Sequence, residues 1–171
     1  MRLLKSTVHP AISTMNSKHI SREASRAIVL DGDNILLLYT QRYHDYSLPG
    51  GGIDEGEDTI AGLIRELTEE TGAQNISNIE EFGLYEEFRP WYKDDADIIH
   101  MQSYCYRCDI DAELLAPSFE AHEISNDMQP LWINIHEAIS HNEATMATSD
   151  KKGLSIERET FLLKQIVAEL L

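Results

Sequence analysis

The sequence predicts an α/β domain with a mixed sheet, from three observations. Apolar runs of strand length are bounded by turn residues. Two amphipathic segments of helix length accompany them, one internal and one at the C-terminus. The order along the chain is strands, helix, strands, helix. With 171 residues, 42% of them hydrophobic, the chain is long enough for one core and too short for two comfortable ones. We assign residues 23–171 to a single domain. Residues 1–22, whose apolar residues are scattered, read as a loose, flexible N-terminal arm.

The first elements form a hairpin: "ASRAIVL" and "ILLLYTQ" are apolar runs on either side of the glycine-containing turn "DGDN". "HDYSLPGGG" is a loop that tightens on Pro49 and the glycines. Asp58 or Thr59 caps a helix running to about Thr71, and Gly72 stops it. Along it Ile60, Leu63, Ile64 and Leu67 form an apolar face for the sheet. "ISNIEEFGLYEEFR" and "IIHMQSYCYRCDI" read as strands, joined by the polar loop "PWYKDDAD" with its two exposed aromatics. "LLAPSFEAHEISNDMQP" reads as a long acidic loop, "LWINI" as the last strand and "HEAISH" as a short helix. "SIERETFLLKQIVAELL" closes the chain as a helix, with Ile156, Phe161, Leu162, Ile166 and Leu170 at helical spacing.

Charge narrows the function. A net charge of −16 argues against a protein that clings to nucleic acid or to an anionic membrane, since both need clustered Lys and Arg. No apolar run reaches the roughly 18 residues of a membrane helix. The weakly basic N-terminus lacks the continuous apolar core of a secretory signal, so the expected location is the cytoplasm. The two cysteines, Cys105 and Cys108, lie three apart in a presumed strand and so point to opposite faces. With no second pair to complete a zinc site, they read as inert thiols.

The chemistry concentrates between Gly50 and Ala73. Glu66, Glu69 and Glu70 stand at i, i+3 and i+4 and share one face of the helix. Like charges at that spacing repel, and Glu69 and Glu70 sit near the helix C-terminus, the unfavourable end for anions. A solvated acidic face explains such a cluster in many helices. Here glycines 50–52 stand just upstream and allow the backbone to approach an ion closely. Hard oxygen donors on a rigid element suit magnesium or manganese. Gly62, one turn before Glu66, leaves room for something bulky. Arg65 reaches Glu69 or folds back to Glu57, locking a carboxylate in place.

The spacing is Gly51, five residues, Glu57, seven residues, Arg65-Glu66-Leu67, one residue, Glu69-Glu70, one residue, Gly72-Ala73. This resembles the Nudix box of the Nudix hydrolases at every fixed position. The hairpin before it, "SLPGG" at its start and the strands and helix after it resemble that family too. The resemblance implies a Nudix-type α/β/α sandwich with a mixed sheet and the Nudix loop-helix. It implies a magnesium-dependent enzyme, with manganese able to substitute, that cleaves the diphosphate linkage of a nucleoside diphosphate derivative by water attack on phosphorus. By position, Glu66 and Glu70 resemble the family's principal metal ligands. Glu69 resembles a further ligand or water contact, and the Gly50 carbonyl a backbone ligand. Glu57 and Arg65 match the pair that props the loop against the helix. The general base in the family is a glutamate of the box or one from a late loop, which makes Glu66, Glu69 and Glu123 catalytic candidates, with Glu123 placed before Glu120.

Substrate choice lies outside the box. Trp91 and Tyr92 either stack on a base or buttress a loop. Arg42, with Tyr39 and Tyr43, either lines a nucleotide pocket or belongs to a mobile loop. The implied partner is a small nucleotide rather than a nucleic acid or a membrane. Pairing as a homodimer through the closing helix or the N-terminal arm is left open. Two other readings compete on the same scaffold. A ligand-sensing domain without catalysis is disfavoured by the intact box. An isoprenoid diphosphate isomerase is disfavoured because neither cysteine has a clear acid partner.

Overall fold

Two four-stranded sheets carry the molecule, and each alternates its side chains between two helical layers. The computed structural model describes residues 1–150 and 152–171. The eight strands are β1 (Leu3–Val8), β2 (His19–Ile28), β3 (Leu30–Asp31), β4 (Asn34–Thr40), β5 (Asp45–Ser47), β6 (Ser77–Pro90), β7 (Ile98–Asp109) and β8 (Met128–Asn134). The four helices are α1 (Thr59–Thr71), α2 (Ala121–Ser125), α3 (Ile135–Thr148) and α4 (Ile156–Leu170). The first sheet runs β1-β6-β7-β2 and is mixed: β1 is parallel to β6, β6 antiparallel to β7, and β7 parallel to β2. In the second sheet β4 pairs antiparallel with β3, β5 and β8.

Strand alternation divides the core in two. Ala27, Val29, Leu36, Tyr106 and Cys108 face α1 and pack on its Leu63 and Leu67. Ile28, Ile35, Leu37 and Cys105, one residue out of phase, face the opposite side and pack on Ile135 of α3 and Leu162, Leu163 and Ile166 of α4. The α/β/α sandwich follows from that phase. Cys105 and Cys108 do fall on opposite faces, buried and unbonded, and burial pushes both thiols up to about 12. No helix among the described residues is long and apolar enough to cross a membrane.

Several elements differ from the sequence reading. The apolar run before "DGDN" does not form one arm of a simple hairpin. It divides at Val29, giving β2 to the first sheet and β3 to the second. Residues 1–22, read as a loose arm, hold β1 and the start of β2. β1 lies along β6 from Leu3 opposite Leu84 to Val8 opposite Phe88, and Leu4 fills the space left by the absent side chain of Gly83. The short helix "HEAISH" continues to Thr148 as α3, helped by Glu143, Ala144, Met146 and Ala147. The acidic loop contains α2. On α1, Leu63 and Leu67 are fully buried, but Ile60 and Ile64 are exposed. Gly62 and Glu70 are turned inward instead. The reason is at Gly62, where a Cβ would stand 2.5 Å from Cδ1 of Ile53. The bulk for which that glycine left room is the preceding loop, and its docking rolls the helix so that a glutamate enters the interior.

Candidate active site

The acidic face of α1 is presented to a cleft by a helix with well-defined ends. The Asp58 side chain accepts hydrogen bonds from the N–H groups of Ile60 at 2.9 Å and Ala61 at 2.8 Å. Gly72 closes the helix in the left-handed conformation. The loop before it fits against the glutamates through missing side chains. A Cβ on Gly51 would stand 2.5 Å from the Glu66 carboxyl carbon, and Gly50 holds φ +136° with its Cα facing the Ser25 carbonyl.

Arg65 ties loop to helix. Its Nε and Nη2 donate to the two oxygens of Glu57 at 3.0 and 2.9 Å, Nη2 also to the Gly52 carbonyl at 2.9 Å, and Nη1 to Glu66 at 2.6 Å. The guanidinium holds the Glu57 carboxyl below its ordinary value. Glu69 is left at the margin, 3.5 Å from Arg65 Nη1 and partly exposed. Glu70 is 3% exposed and accepts from the Gly50 N–H at 2.5 Å. Burial pushes its carboxyl well above the usual carboxylate range. Burial also raises Glu66, against the pull of Arg65.

Glu123 comes to the same place from α2. It is 6% exposed and accepts from the Glu120 N–H at 2.6 Å, which fixes its side chain beside the acidic face of α1. Carboxylate oxygens of Glu66, Glu70 and Glu123 lie within 4.8 Å of one another. Glu120 stays at the mouth, 3.2 Å from His122. The cleft has a volume of about 490 Å3. Its floor is β2, where Arg22, Ala24 and Arg26 alternate onto one face.

Three sequence-derived candidates have protein partners of their own in the structure. The Gly50 carbonyl, a candidate metal ligand, accepts a hydrogen bond from Nη1 of Arg26. Glu69 is outside the triad of glutamates. Arg42, a candidate substrate contact, donates to Oδ1 of Asn126 at 3.1 Å and stacks on Tyr43, while Tyr43 and Asn126 themselves line the cleft. Tyr39 packs on Tyr46 and His141. Trp91 and Tyr92 line a second cleft of about 350 Å3, which shares Arg22 and Met101 with the first.

Three features escaped the sequence reading: Arg22 and Arg26, the buried carboxyl of Asp45, and a buried ion network of Glu87, Arg158 and Glu159. The spacing of Arg22 and Arg26 on a strand is a signal, but only once that strand's inner face is known. Asp45 lines the cleft, and burial, with Glu159 nearby, raises it to about 6. The folded chain therefore holds this proton more tightly than the unfolded chain. The stability it contributes is present at low pH and is lost as pH rises from about 4 through about 6. Asp45→Asn is expected to remove that part of the slope and to stabilise the protein at pH 7.5 by about 3 kcal/mol. Urea midpoints at pH 5 and pH 7.5 measure it, and an unchanged slope would mean that Asp45 is solvated.

The sequence profile of the NUDIX domain matches residues 21–155. The RNA pyrophosphohydrolase of Bartonella quintana (strain Toulouse) is 43% identical over 53 residues, 31% of this chain and 27% of that protein. The RNA pyrophosphohydrolase of Brucella anthropi is 41% identical over 58 residues, 34% of this chain and 31% of that protein. The chain thus matches less than a third of the length of these curated relatives. The solved structure of the MutT protein from Bacillus halodurans superposes with a TM-score of 0.54 at 22% identity, over 70% of this chain and 72% of that one. At that identity the likeness is one of fold. The profile match takes in the second sheet, most of the first, the loop and α1, and with the unbroken spacing from Gly51 to Ala73 it identifies the chain as a member of the Nudix family.

Proposed function

We propose that this protein is a divalent-cation-dependent hydrolase that cleaves the diphosphate linkage of a nucleoside diphosphate derivative by attack of water on phosphorus. The observation that carries the reading is the convergence of Glu66, Glu70 and Glu123 at one wall of the cleft. A diphosphate is polyanionic and the chain is itself at −16, so the reaction needs a local reversal of sign.

The donor set fits magnesium or manganese. Its oxygens are hard, two of the three carboxylates are nearly buried, and desolvation makes their bare charges costly. Glu66 and Glu70 would hold the ion, with Glu123 beside them. Bound there, the ion supplies charge neutralisation and Lewis-acid polarisation of phosphate. The chain's own residues do the rest. Arg65 and Glu57 keep the glycine loop against α1, and the Gly50 N–H orients Glu70. Glu123, on a separate element, accepts the proton from water as the new O–P bond forms. The bond between phosphorus and the bridging oxygen breaks, and the departing phosphate takes the electron pair. Glu69 is assigned to support Arg65 rather than to the reacting atoms.

The second cleft supports a nucleoside as one half of the substrate. Trp91 and Tyr92 stand with ring centroids 4.5 Å apart, and the Lys93 ammonium lies 5.5 Å from the Trp91 ring. A base stacked there sends its diphosphate past Arg22 toward the glutamates. Stacking of this kind is worth about 1–3 kcal/mol per base, so Trp91→Ala is expected to raise KM about tenfold or more with kcat little changed. Steady-state kinetics read the split, and an unchanged KM would make Trp91 a loop buttress.

The names of the partial relatives favour a second reading, a phosphorylated RNA end. The net charge of −16 works against a long polyanion. One experiment tests both. The protein is incubated with magnesium or manganese and nucleotide sugars, dinucleoside polyphosphates, nucleoside triphosphates or a 5′-triphosphorylated oligoribonucleotide, and release of mononucleotide or phosphate is measured. Turnover of the small nucleotides is the expected result. Turnover of the oligonucleotide alone selects the second reading, and none with any substrate sinks both.

A further inference from the structure

Arg26 has five N–H donors to satisfy and makes one side-chain hydrogen bond among the described residues. Nη1 donates to the Gly50 carbonyl, while Nε is buried with no partner among the described residues. The side chain lies on the cleft floor, partly covered, and feels the charges of Glu70, Arg158 and Glu159. Burial and the neighbouring Arg158 both press against its charge. A guanidinium so placed is short of acceptors, and none of the described residues supplies them. A phosphate would, since its oxygens match the planar fork.

The contact that Arg26 does make is also informative. Gly50 is where its guanidinium meets the metal wall: the N–H of that residue holds Glu70 and its carbonyl holds Arg26. A divalent cation at Glu66 and Glu70 and the guanidinium therefore compete for the same negative edge. Two like charges there repel, and the guanidinium is the one with somewhere to go, into the open cleft beside Arg22.

We propose that Arg26 is a latched anion receptor, held by the Gly50 carbonyl in the empty cleft and released toward the substrate's diphosphate when a divalent cation occupies the glutamate cluster. It rests on the metal-dependent reading above and goes beyond it, because it makes one residue couple the two ligands. The coupling is reciprocal: phosphate that draws Arg26 away relieves the repulsion felt by the cation, so each ligand favours the other.

Manganese binding to the phosphate-free protein tests the latch without any turnover, by electron paramagnetic resonance of the free ion. Arg26→Gln removes the competing charge and is expected to tighten manganese binding about five- to tenfold. Arg26→Lys keeps a charge without the fork and is expected to leave manganese affinity near that of the native chain. With manganese saturating, both variants are expected to bind methylene diphosphonate at least tenfold more weakly. Circular dichroism and a melting curve confirm that each variant is folded, and Arg26→Lys still tests the anion half if Arg26→Gln fails to fold. If the native chain binds manganese and Arg26→Gln binds it no more tightly, Arg26 is a structural counter-charge and the latch is wrong. Undiminished diphosphonate binding by Arg26→Lys overturns the receptor. If the native chain binds no manganese, the metal reading itself falls, and with it the latch.

Discussion

Replacing Arg158 with methionine is expected to lower the unfolding free energy by about 3–5 kcal/mol. Arg158 is 4% exposed, Glu159 fully buried and Glu87 nearly so. Nη1 of Arg158 donates to Glu87 at 2.6 Å, while Nε and Nη2 donate to one oxygen of Glu159 at 3.0 and 2.8 Å. Burial works against the guanidinium charge, but the two carboxylates hold it above the ordinary arginine value. Methionine fills most of the stem's volume, so little of the loss is a cavity. What remains is two buried carboxylates, and Arg89, which also contacts Glu87, reaches only one of them. Glu159 is the more exposed to consequence, because its other oxygen accepts from the Leu48 N–H at 2.9 Å and so anchors the chain two residues before the Gly50 loop. The variant should therefore loosen that loop as well as the core. Denaturant midpoints measure the loss. A change below about 1 kcal/mol would mean that water already reaches the pair.

That network marks where the sequence stops being legible. In "SIERETFLLKQIVAELL" the apolar residues give α4 its spacing, and Ile156, Leu162 and Ile166 are buried as the pattern predicts. An adjacent Arg-Glu pair on such a helix ordinarily faces water. It is buried here because a carboxylate from β6 meets it, and a pairing between distant segments leaves no periodic trace. β1 and the first half of β2 were hidden for the same reason. Parallel pairing joins segments far apart, and the polar residues of His19–Glu23 carry no strand pattern of their own. By contrast, α1 was readable from both ends, since Asp58 and Gly72 are local devices. The spacing from Gly51 to Ala73 was readable because a glycine loop docked on a helix fixes every contact by chain distance. Trp91 was visible as a residue, but the cleft beside it was not, because three strands and the turn before α4 contribute to it.

Glu70→Gln is expected to lower kcat/KM by about 100- to 1000-fold, while the metal-free protein melts no lower than the native chain. The first figure is the several kcal/mol that a bound metal contributes to transition-state charge stabilisation, converted to rate. The second follows from the surroundings of the carboxylate. Glutamine keeps the shape and an oxygen that accepts from the Gly50 N–H. It removes a buried charge that burial, Glu66 and Glu123 all disfavour. The attraction to Arg26 is the one loss, and it is the smaller effect because Arg26 also has Glu159 nearby. Activity and stability thus part company, which they would not do if Glu70 were only a strut for the glycine loop. Melting curves in EDTA and in millimolar manganese separate the cases. The native chain should gain stability with manganese as mass action requires, and the variant should gain much less. A variant that melts several degrees lower in EDTA, yet rises with manganese as the native chain does, would remove Glu70 from the metal site and make it a structural residue of the loop.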